Sequence, residues 1–325
     1  MSSPWSFLRK TELCSIMHIR TNKTLNVVLR PVIWVAEWFG KHYPVLLVRI
    51  RYFVRFHKRL NLDAPKTLNE KILYLSLKTD TSLWTKCADK YEVREYVKSK
   101  RLEDILVKLY GVWDNPNDID TALLPDQFIL KTTHGSGDVL IIKDKSAANW
   151  KQIRKVFTQS MKKGYGALEG GIHYMRIKPR MIAEELLLND AETQKHSSSL
   201  IDYKIWCFNG KAYYIWTCSN RINGKMDVMT YDRDWGAHPE FSIFDKKHPR
   251  GELIPKPHNF EKMLSIAEKL AENFPVVRVD LYNIAGKIYL GELTFTSTGG
   301  MMYYYSPEFQ RHTGDIIDLK HKVEK

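Results

Sequence analysis

Long hydrophobic runs and paired cysteines are both missing from this sequence. No segment has 18 uncharged apolar residues in succession, so a membrane-spanning helix is not expected. The first apolar residues are interrupted by Arg9, Lys10 and Glu12, unlike a secretory signal peptide. The four cysteines form no Cys-x-x-Cys pair, which argues against a zinc site or a disulfide framework. These absences predict a cytoplasmic protein, and they leave open peripheral attachment to the inner face of a membrane.

Acidic residues are scarce near the N-terminus, which makes the charge distribution uneven. The whole chain has a net charge of +13. Residues 1–60 hold 11 Lys and Arg but only two acidic residues, so this segment carries +9 and the other 265 residues carry +4. Such a segment predicts an anionic partner. A nucleic-acid partner is not expected, because it would need a basic patch on the main body.

The segment from Thr24 to Leu60 is apolar, aromatic and basic. Pro31 and Pro44 should divide it into short helices. One interpretation is a helical layer packed on a catalytic body. The other is an amphipathic anchor on anionic lipid, with four aromatic residues at headgroup level, namely Trp34, Trp38, Phe39 and Tyr43. The two interpretations are compatible.

Local signals predict several elements of secondary structure. Thr67 and Glu70 form a capping-box pattern before an apolar helical face. The stretch from Thr85 to Lys100 is predicted as one helix with an Asp cap, and "ILVKLYGVW" as a strand. Two further helices are expected at 149–164 and 258–273, and a hairpin is expected around Asn209-Gly210.

A glycine-punctuated stretch, "FILKTTHGSGDVLII", spans Phe128 to Ile142. Its two apolar runs predict strands that the turn joins as a hairpin. This context excludes a Walker or Rossmann phosphate loop, since each of those requires a strand leading into a helix. Lys131 and the N–H groups of Gly135 to Gly137 could bind phosphate oxygens. An ordinary glycine-containing hairpin remains the alternative.

Two carboxylates lie on a second predicted hairpin, "RVDLYNIAGKIYLGELTF". With its turn at Ala285-Gly286, Asp280 and Glu292 should lie almost opposite one another. Facing carboxylates repel unless a cation separates them. Mg²⁺ bridging nucleotide phosphates would serve, because it binds one or two carboxylates together with phosphate oxygens. Alternatively, one carboxylate faces solvent or Arg278 neutralises the pair.

The apolar run "RMIAEELLL" is predicted as a buried strand that carries two adjacent glutamates. One of them must face the opposite side from the other. A buried Glu beside exposed backbone groups suits recognition of an adenine amino group. A surface strand with two solvated carboxylates is the alternative.

Taken in order, these motifs resemble ATP-grasp ligases, and within them the TupA-like branch of teichuronopeptide biosynthesis. The motifs are "LNLDAPKTLNEKILYL", "KCADKYEVREYV", "FILKTTHGSGDVLII", "HYMRIKPRMIAEELL", "DYKIWCFNGK" and "RVDLY…GELTF", and the resemblance runs from about Leu60 to Asp318. It implies an α+β ATP-grasp fold, in which two α+β subdomains clamp ATP, preceded by a basic, aromatic helical segment. The expected divisions are an N-terminal segment at 1–60, a substrate-side region at 61–125, a small subdomain with the glycine flap at 126–190, and a C-terminal subdomain with the metal site at 191–325.

The resemblance also implies which residues bind the nucleotide. Lys90 and Lys131 match the two nucleotide lysines, and His134 is a proton carrier, a γ-phosphate contact or a structural residue of the loop. The covering loop would be Gly135, Ser136 and Gly137. The adenine hinge would be Glu184, Glu185, Leu186 and Leu187. Asp202 matches the acidic residue that reaches the ribose, with Lys204 near the phosphates.

The same resemblance implies one or two Mg²⁺ ions. Asp280 and Glu292 match the metal carboxylates, and Arg278 matches the cation beside the transferred phosphate. Where the family commonly has Glu-x-Asn, this chain has Thr294 in place of the Asn. Either the Thr hydroxyl ligates at a shifted geometry or water completes the shell. The string "TFTSTGGMMYYYSP" resembles the loop that holds the acceptor in this family. In this acceptor loop, the backbone N–H groups of Gly299 and Gly300 would hold the acyl-phosphate oxygen.

The implied activity is an ATP-dependent carboxylate–amine ligase. The expected substrates are a carboxylate-bearing sugar or glycan and an amino acid, joined during surface polysaccharide biosynthesis. One alternative is a glycosyltransferase, for which the nearest Asp-x-Asp strings fall in turn-like contexts at 114–120 and 232–234. The other is a non-catalytic nucleotide-binding or membrane-associated protein, and the joint presence of Lys131, Asp280 and Glu292 argues against it.

Overall fold

The computed structural model describes residues 35–321, and the chain divides into two compact units. The small unit contains residues 35–47 together with Asp89–Tyr91 and Val107–Leu186. The large unit contains Val48–Ala88, Glu92–Leu106 and residues 187–321. Residues 1–34 of the predicted N-terminal segment, including Pro31 and Trp34, lie outside the described residues.

Helices and two antiparallel sheets together confirm the predicted α+β class. Residues 35–42 are helical. The helices after them are α1 (Pro44–Phe56), α2 (Leu68–Lys78), α3 (Ser82–Ala88), α4 (Val93–Ser99), α5 (Trp150–Met161), α6 (Ile172–Met175), α7 (Ala191–Gln194), α8 (Phe260–Ala271) and α9 (Pro307–Ile316). Short 3₁₀ turns occur at Glu103–Ile105, Pro116–Asp118, Thr121–Leu123, Pro239–Phe241 and Ser297–Gly300.

The strands are distributed between the two units. The small unit has a four-stranded sheet in the order β1-β4-β2-β3, formed by β1 (Leu109–Trp113), β2 (Phe128–Thr132), β3 (Val139–Ile142) and β4 (Met181–Glu184). The large unit has a five-stranded sheet in the order β7-β6-β5-β8-β9, formed by β5 (Asp202–Phe208), β6 (Lys211–Ile222), β7 (Lys225–Asp232), β8 (Val276–Ile284) and β9 (Lys287–Thr294). The predicted run "RMIAEELLL" is a strand only as far as Glu184.

Local sequence signals account for several element boundaries. Thr67 accepts from the Glu70 N–H, and the Glu70 side chain accepts in return from the Thr67 N–H, so the capping box before α2 is confirmed. Pro44 begins α1, as predicted. Both hairpins that were predicted in the large unit turn through two residues of positive φ, with 49° and 76° at Asn209-Gly210 and 49° and 81° at Ala285-Gly286. These are the values that a two-residue turn with the right-handed strand twist requires.

The single helix predicted from Thr85 to Lys100 is wrong. Helix α3 ends at Ala88 and α4 begins only at Val93. Between them, the Asp89 carboxylate accepts the Tyr91 N–H at 2.7 Å, and this turn competes with helix continuation. Asp89 also pairs with Arg180 at 3.5 Å, a contact that sequence spacing could not reveal.

Side-chain alternation places the functional candidates of the small unit away from its core. On β2, Phe128 and Leu130 are buried in a cluster with Ile153 and Phe157 of α5. Lys131 points to the opposite face of the sheet, because successive side chains alternate along a strand.

The large sheet is covered differently on its two faces. On one face, Trp235 stacks on Tyr231 at 4.4 Å and meets Phe260 of α8 at 4.8 Å. On the other face, Trp216 stacks on Tyr304 with ring centroids 4.7 Å apart. Alternation puts Asp202, Lys204, Trp206, Arg278 and Asp280 on this second face.

Within residues 35–321, no helix has the length and apolar character needed to cross a bilayer.

Replacing Thr67 by Ala should lower the free energy of unfolding by about 1 kcal/mol, because the N-cap and its reciprocal bond are lost. Thr67→Ser keeps the hydroxyl and should remain near wild type. Urea denaturation of the three proteins measures the difference. Equal midpoints for Thr67→Ala and wild type would mean that the cap contributes nothing.

Candidate active site

Lys131 and Glu184 form an ion pair on the face of the small sheet that lies away from its core. Their Nζ and Oε2 atoms are 2.6 Å apart, and the side chains are only 19% and 8% exposed. Glu184 lies opposite Ile129 in the register, one diagonal from Lys131 on the same face. The pair orients the Lys131 ammonium, and an adenine amino group that donated to Glu184 would share this carboxylate with Lys131.

The glycine loop between β2 and β3 is held at its base and open at its tip. The predicted hairpin is confirmed, with Lys131 opposite Val139. The Lys90 Nζ donates to the Gly135 carbonyl at 2.6 Å, so this lysine is tied to the loop. Ser136 and Gly137 are exposed. Gly137 has a φ of +88°, and a Cβ added to it would have no atom within 4 Å, which leaves its backbone accessible.

His134 is a buried residue of the same loop. Its Nε2 lies 3.3 Å from the Lys163 carbonyl oxygen. Burial lowers its pKa below the usual range, an effect only partly opposed by that backbone contact and by Asp138. The ring is therefore neutral near pH 7. The close packing of the ring and its contact with the Lys163 carbonyl suit a structural role, and the proton-carrier and γ-phosphate roles stay predictions.

The residues of the predicted adenine hinge begin at the last residue of β4. The Glu185 N–H donates to the Lys108 carbonyl at 3.0 Å, which extends the edge of the small sheet by one bond. Leu186 ends the last segment of the small unit, and Leu187 begins the last segment of the large unit. Both leucines are partly buried.

A row of polar residues crosses the large sheet. Trp216, Lys204, Asp280 and Glu292 are consecutive partners across β6, β5, β8 and β9. The predicted opposition of Asp280 and Glu292 is therefore confirmed by the register. Lys204 and Asp280 are 2.5 Å apart at Nζ and Oδ2, with side chains 9% and 1% exposed.

Arg278 binds the Asp280 carboxylate through two hydrogen bonds. Its Nε donates to Oδ1 and its Nη2 to Oδ2, both at 2.7 Å. The same Nη2 lies 3.6 Å from Glu292 Oε1. Of the alternatives that the sequence left open for the facing carboxylates, Arg278 is therefore the cation that stands between them here.

A second carboxylate extends this network. Asp202 Oδ2 lies 3.3 Å from the Lys204 Nζ and 2.6 Å from the Arg221 Nη2. Asp202 is 6% exposed, and both contacts are made by its Oδ2 atom. Its predicted contact with the ribose stays a prediction.

The network fixes the charge of each buried member. Burial alone would raise the pKa of Asp280, but Arg278 and Lys204 lower it below its usual value. Burial alone would lower the pKa of Lys204, but Asp202 and Asp280 outweigh it and the pKa is raised. Both groups are therefore charged at neutral pH. The network as a whole is balanced, with three carboxylates and three cations: Asp202, Asp280, Glu292, Lys204, Arg221 and Arg278.

The donor chemistry at this edge of the sheet fits Mg²⁺. Glu292 has a side chain 46% exposed, so carboxylate oxygens are accessible to an ion. The Thr294 hydroxyl donates to Glu292 Oε1 at 3.0 Å and accepts from the Arg278 Nη2 at 3.1 Å. A hydroxyl oxygen therefore lies beside the two oxygens of the Glu292 carboxylate. No group of three or more His, Cys, Asp and Glu residues within 35–321 could hold a metal by itself. An ion here would need oxygens from a ligand as well.

The predicted acceptor loop has an unusual backbone. Thr298, Gly299 and Gly300 all have positive φ, of 49°, 66° and 74°. The Gly299 N–H already donates to the Thr296 carbonyl at 2.9 Å. A Cβ on Gly300 would lie 2.8 Å from Leu73 of α2, so the loop is packed closely against that helix.

Three residues of the site were not predicted from the sequence. Arg221 reaches Asp202 from β6, as described above. Ser297 accepts from the Arg278 Nη1 at 2.7 Å, and its oxygen lies 2.8 Å from the Tyr304 hydroxyl. The string "TFTSTGGMMYYYSP" does contain both Ser297 and Tyr304, but nothing in its spacing indicates that they support Arg278.

The Asp-x-Asp strings of the glycosyltransferase alternative have structural partners. Asp232 accepts the N–H groups of Asp234 and Gly236 and lies 2.8 Å from the His238 ring. Asp114 pairs with Lys178 on the surface of the small unit at 2.6 Å. These carboxylates therefore stabilise turns and surface pairs.

Known families and solved structures resemble this chain over most of its length. The family model described as TupA-like ATPgrasp matches residues 70–318. No curated protein matches this chain. Similar solved structures include D-alanine–D-alanine ligase from Helicobacter pylori, at 14% identity over 80% of this chain and 68% of that chain, with a TM-score of 0.40.

Two further solved structures are similar at the same level. D-alanine–D-alanine ligase from Bacillus anthracis complexed with ATP has 14% identity over 79% of this chain and 72% of that chain, with a TM-score of 0.42. L-amino acid ligase from Bacillus licheniformis has 10% identity over 84% of this chain and 61% of that chain, with a TM-score of 0.43. This chain thus spans between 61% and 72% of the length of the three ligases. Because the family model covers most of its residues, the chain belongs to the TupA-like ATP-grasp family.

Proposed function

We propose that this protein is an ATP-dependent carboxylate–amine ligase. The observation that carries the proposal is the cross-strand row Lys204–Asp280–Glu292, with Arg278 bound to Asp280. It combines fixed cations with an accessible carboxylate, which suits a reaction whose catalysis is mainly alignment and charge neutralisation. ATP would transfer its γ-phosphoryl group to a carboxylate, which gives an acyl phosphate and ADP. An amine would then attack the acyl carbon and displace inorganic phosphate to give an amide.

Charge balance supports binding of Mg²⁺ together with the nucleotide. The six ionised groups of the network already sum to zero. An ion added at Glu292 would leave this partly buried region with a net charge of +2, which is costly in a low-dielectric environment. Phosphate oxygens would supply the compensating negative charge and most of the ligands, because Arg278 and Lys204 already bind both oxygens of Asp280. When bound, Mg²⁺ would neutralise the charge of the transferred phosphoryl group.

In the small unit, Lys131 and Lys90 are the proposed phosphate contacts. Lys131 is oriented by Glu184, and Lys90 is tied to the Gly135 carbonyl. The open backbone at Ser136 and Gly137 would supply N–H donors to phosphate oxygens. The chain segment 184–187 would supply the adenine contacts.

The proposed substrates are an amino acid and a uronic acid or amino sugar of a surface polysaccharide. The support is the family of the chain and its resemblance to the teichuronopeptide branch. The test is a screen for ADP release in which sugar acids are paired with amino acids. An amide product that requires both substrates is expected. ATP hydrolysis without an amide for every pair would contradict the ligase assignment.

Replacing Lys131 by Met should lower the rate of ADP release on the order of a hundredfold, because a positioned cation at the phosphates is removed. The rate is measured with saturating substrates, and circular dichroism checks that the variant is folded.

The matched control is Lys178→Met, which removes another lysine of the small unit whose carboxylate partner is also at 2.6 Å, but on the surface. Its rate should equal that of wild type. If both variants lose activity equally, the effect is general and Lys131 is not a phosphate contact.

Replacing Gly300 by Ala should lower ADP release by at least about tenfold, since the added Cβ strains a positive φ and meets Leu73. Gly224→Ala is the matched control, because its φ is +76° and no atom lies within 4 Å of the added Cβ. Both variants carry the backbone cost, but only Gly300→Ala should displace the acceptor loop. Similar rates for the two variants would remove this loop from the site.

A further inference from the structure

Helix α1 presents a stripe of apolar side chains to solvent. Leu46, Ile50 and Phe53 follow a spacing of four and three residues, with Val54 beside them, so they share one face of the helix. Their exposed fractions are 49%, 48%, 54% and 67% in chain order. Large apolar residues that are exposed singly are ordinary, but a contiguous stripe of them marks a surface that binds something.

The opposite side of α1 is anchored to the protein. Val48 and Tyr52 are 0% and 6% exposed. The Arg55 guanidinium lies 3.9 Å from the centre of the Tyr303 ring, also on this side of the helix. The stripe is therefore held outward by a helix that is fixed along its other face.

Basic side chains border the stripe. At about 100° per residue, Arg49 falls on one side of the four apolar residues and Arg51 on the other. The helix sequence PVLLVRIRYFVRF contains no acidic residue. An apolar strip with arginine on both borders is the pattern of a helix that lies in the interface of an anionic bilayer.

Charge favours a lipid surface over a second copy of this chain as the partner that covers the apolar stripe. A second copy of the helix would bring its own arginine borders against these, and like charges placed together oppose association. The N-terminal residues 1–34 are basic as well, with Arg9, Lys10, Arg20, Lys23 and Arg30 against Glu12. Only an anionic partner complements both the apolar and the basic features.

We propose that α1 docks the protein on anionic lipid, with Leu46, Ile50, Phe53 and Val54 inserted among the acyl chains and Arg49 and Arg51 at the phosphate headgroups. The helix would lie parallel to the surface. This docking is independent of the ligase chemistry, since it uses none of the residues assigned to the site.

The test is co-sedimentation of the full chain with vesicles of phosphatidylglycerol and phosphatidylcholine in equal parts, compared with phosphatidylcholine alone. Wild type should pellet with the anionic vesicles only, and less so as salt is raised. The double variant Ile50→Gln/Phe53→Gln should bind about tenfold more weakly. Arg49→Gln/Arg51→Gln should lose roughly fivefold for each charge removed.

The matched control is Leu123→Gln/Leu253→Gln, which removes two other exposed leucines, 79% and 63% accessible, and should bind as wild type does. Circular dichroism and ADP release in solution verify that every variant is folded. Wild type that stays in the supernatant, or equal pelleting of wild type and both α1 variants, would overturn the proposal. So would equal binding to neutral vesicles, or a wild-type dimer in sedimentation analysis that the Ile50→Gln/Phe53→Gln variant abolishes.

Discussion

The bidentate contact between Arg278 and Asp280 is the interaction on which the site of the large unit depends. It fixes a carboxylate that is 1% exposed, and Lys204 binds the same carboxylate from the neighbouring strand. Removing one member would leave an uncompensated buried charge, at a cost of about 3–5 kcal/mol. Such a network is retained for what it positions, because a packed apolar core would serve stability as well. Here the network holds Arg278 and Asp280 beside Glu292, whose side chain is accessible at the edge of the sheet.

The remainder of the large unit supports this arrangement from two sides. Helix α8 covers one face of the sheet with apolar contacts, which leaves the other face for the charged row. Ser297 and Tyr304 then connect the acceptor loop to the guanidinium of Arg278 through two short hydrogen bonds. In the small unit too, a carboxylate holds a cation in place, since Glu184 orients Lys131.

Features that depend on neighbouring residues could be predicted from the sequence. The capping box at Thr67 and the facing of Asp280 and Glu292 across a two-residue turn follow from local spacing. Contacts that span the chain could not be predicted. Arg221 lies where the pairing of β6 with β7 shifts between Ser219 and Ile222, so counting by alternation fails there. The break after α3 depends on Asp89, whose partner Arg180 is 91 positions away. Family resemblance supplied the roles of the site residues, and geometry supplied their partners.

The central claim is that the row ending at Glu292 binds Mg²⁺ jointly with a nucleotide. Calorimetric titration with ADP, in the presence and absence of Mg²⁺, tests it directly in wild type and in Glu292→Gln. The Glu292 side chain is 46% exposed, and Gln has nearly the same size, so this substitution should leave the fold intact. We expect Mg²⁺ to tighten ADP binding by wild type at least about tenfold, and most of that gain to be lost in the variant. ADP binding that is insensitive to Mg²⁺, or an equal gain in both proteins, would contradict the account.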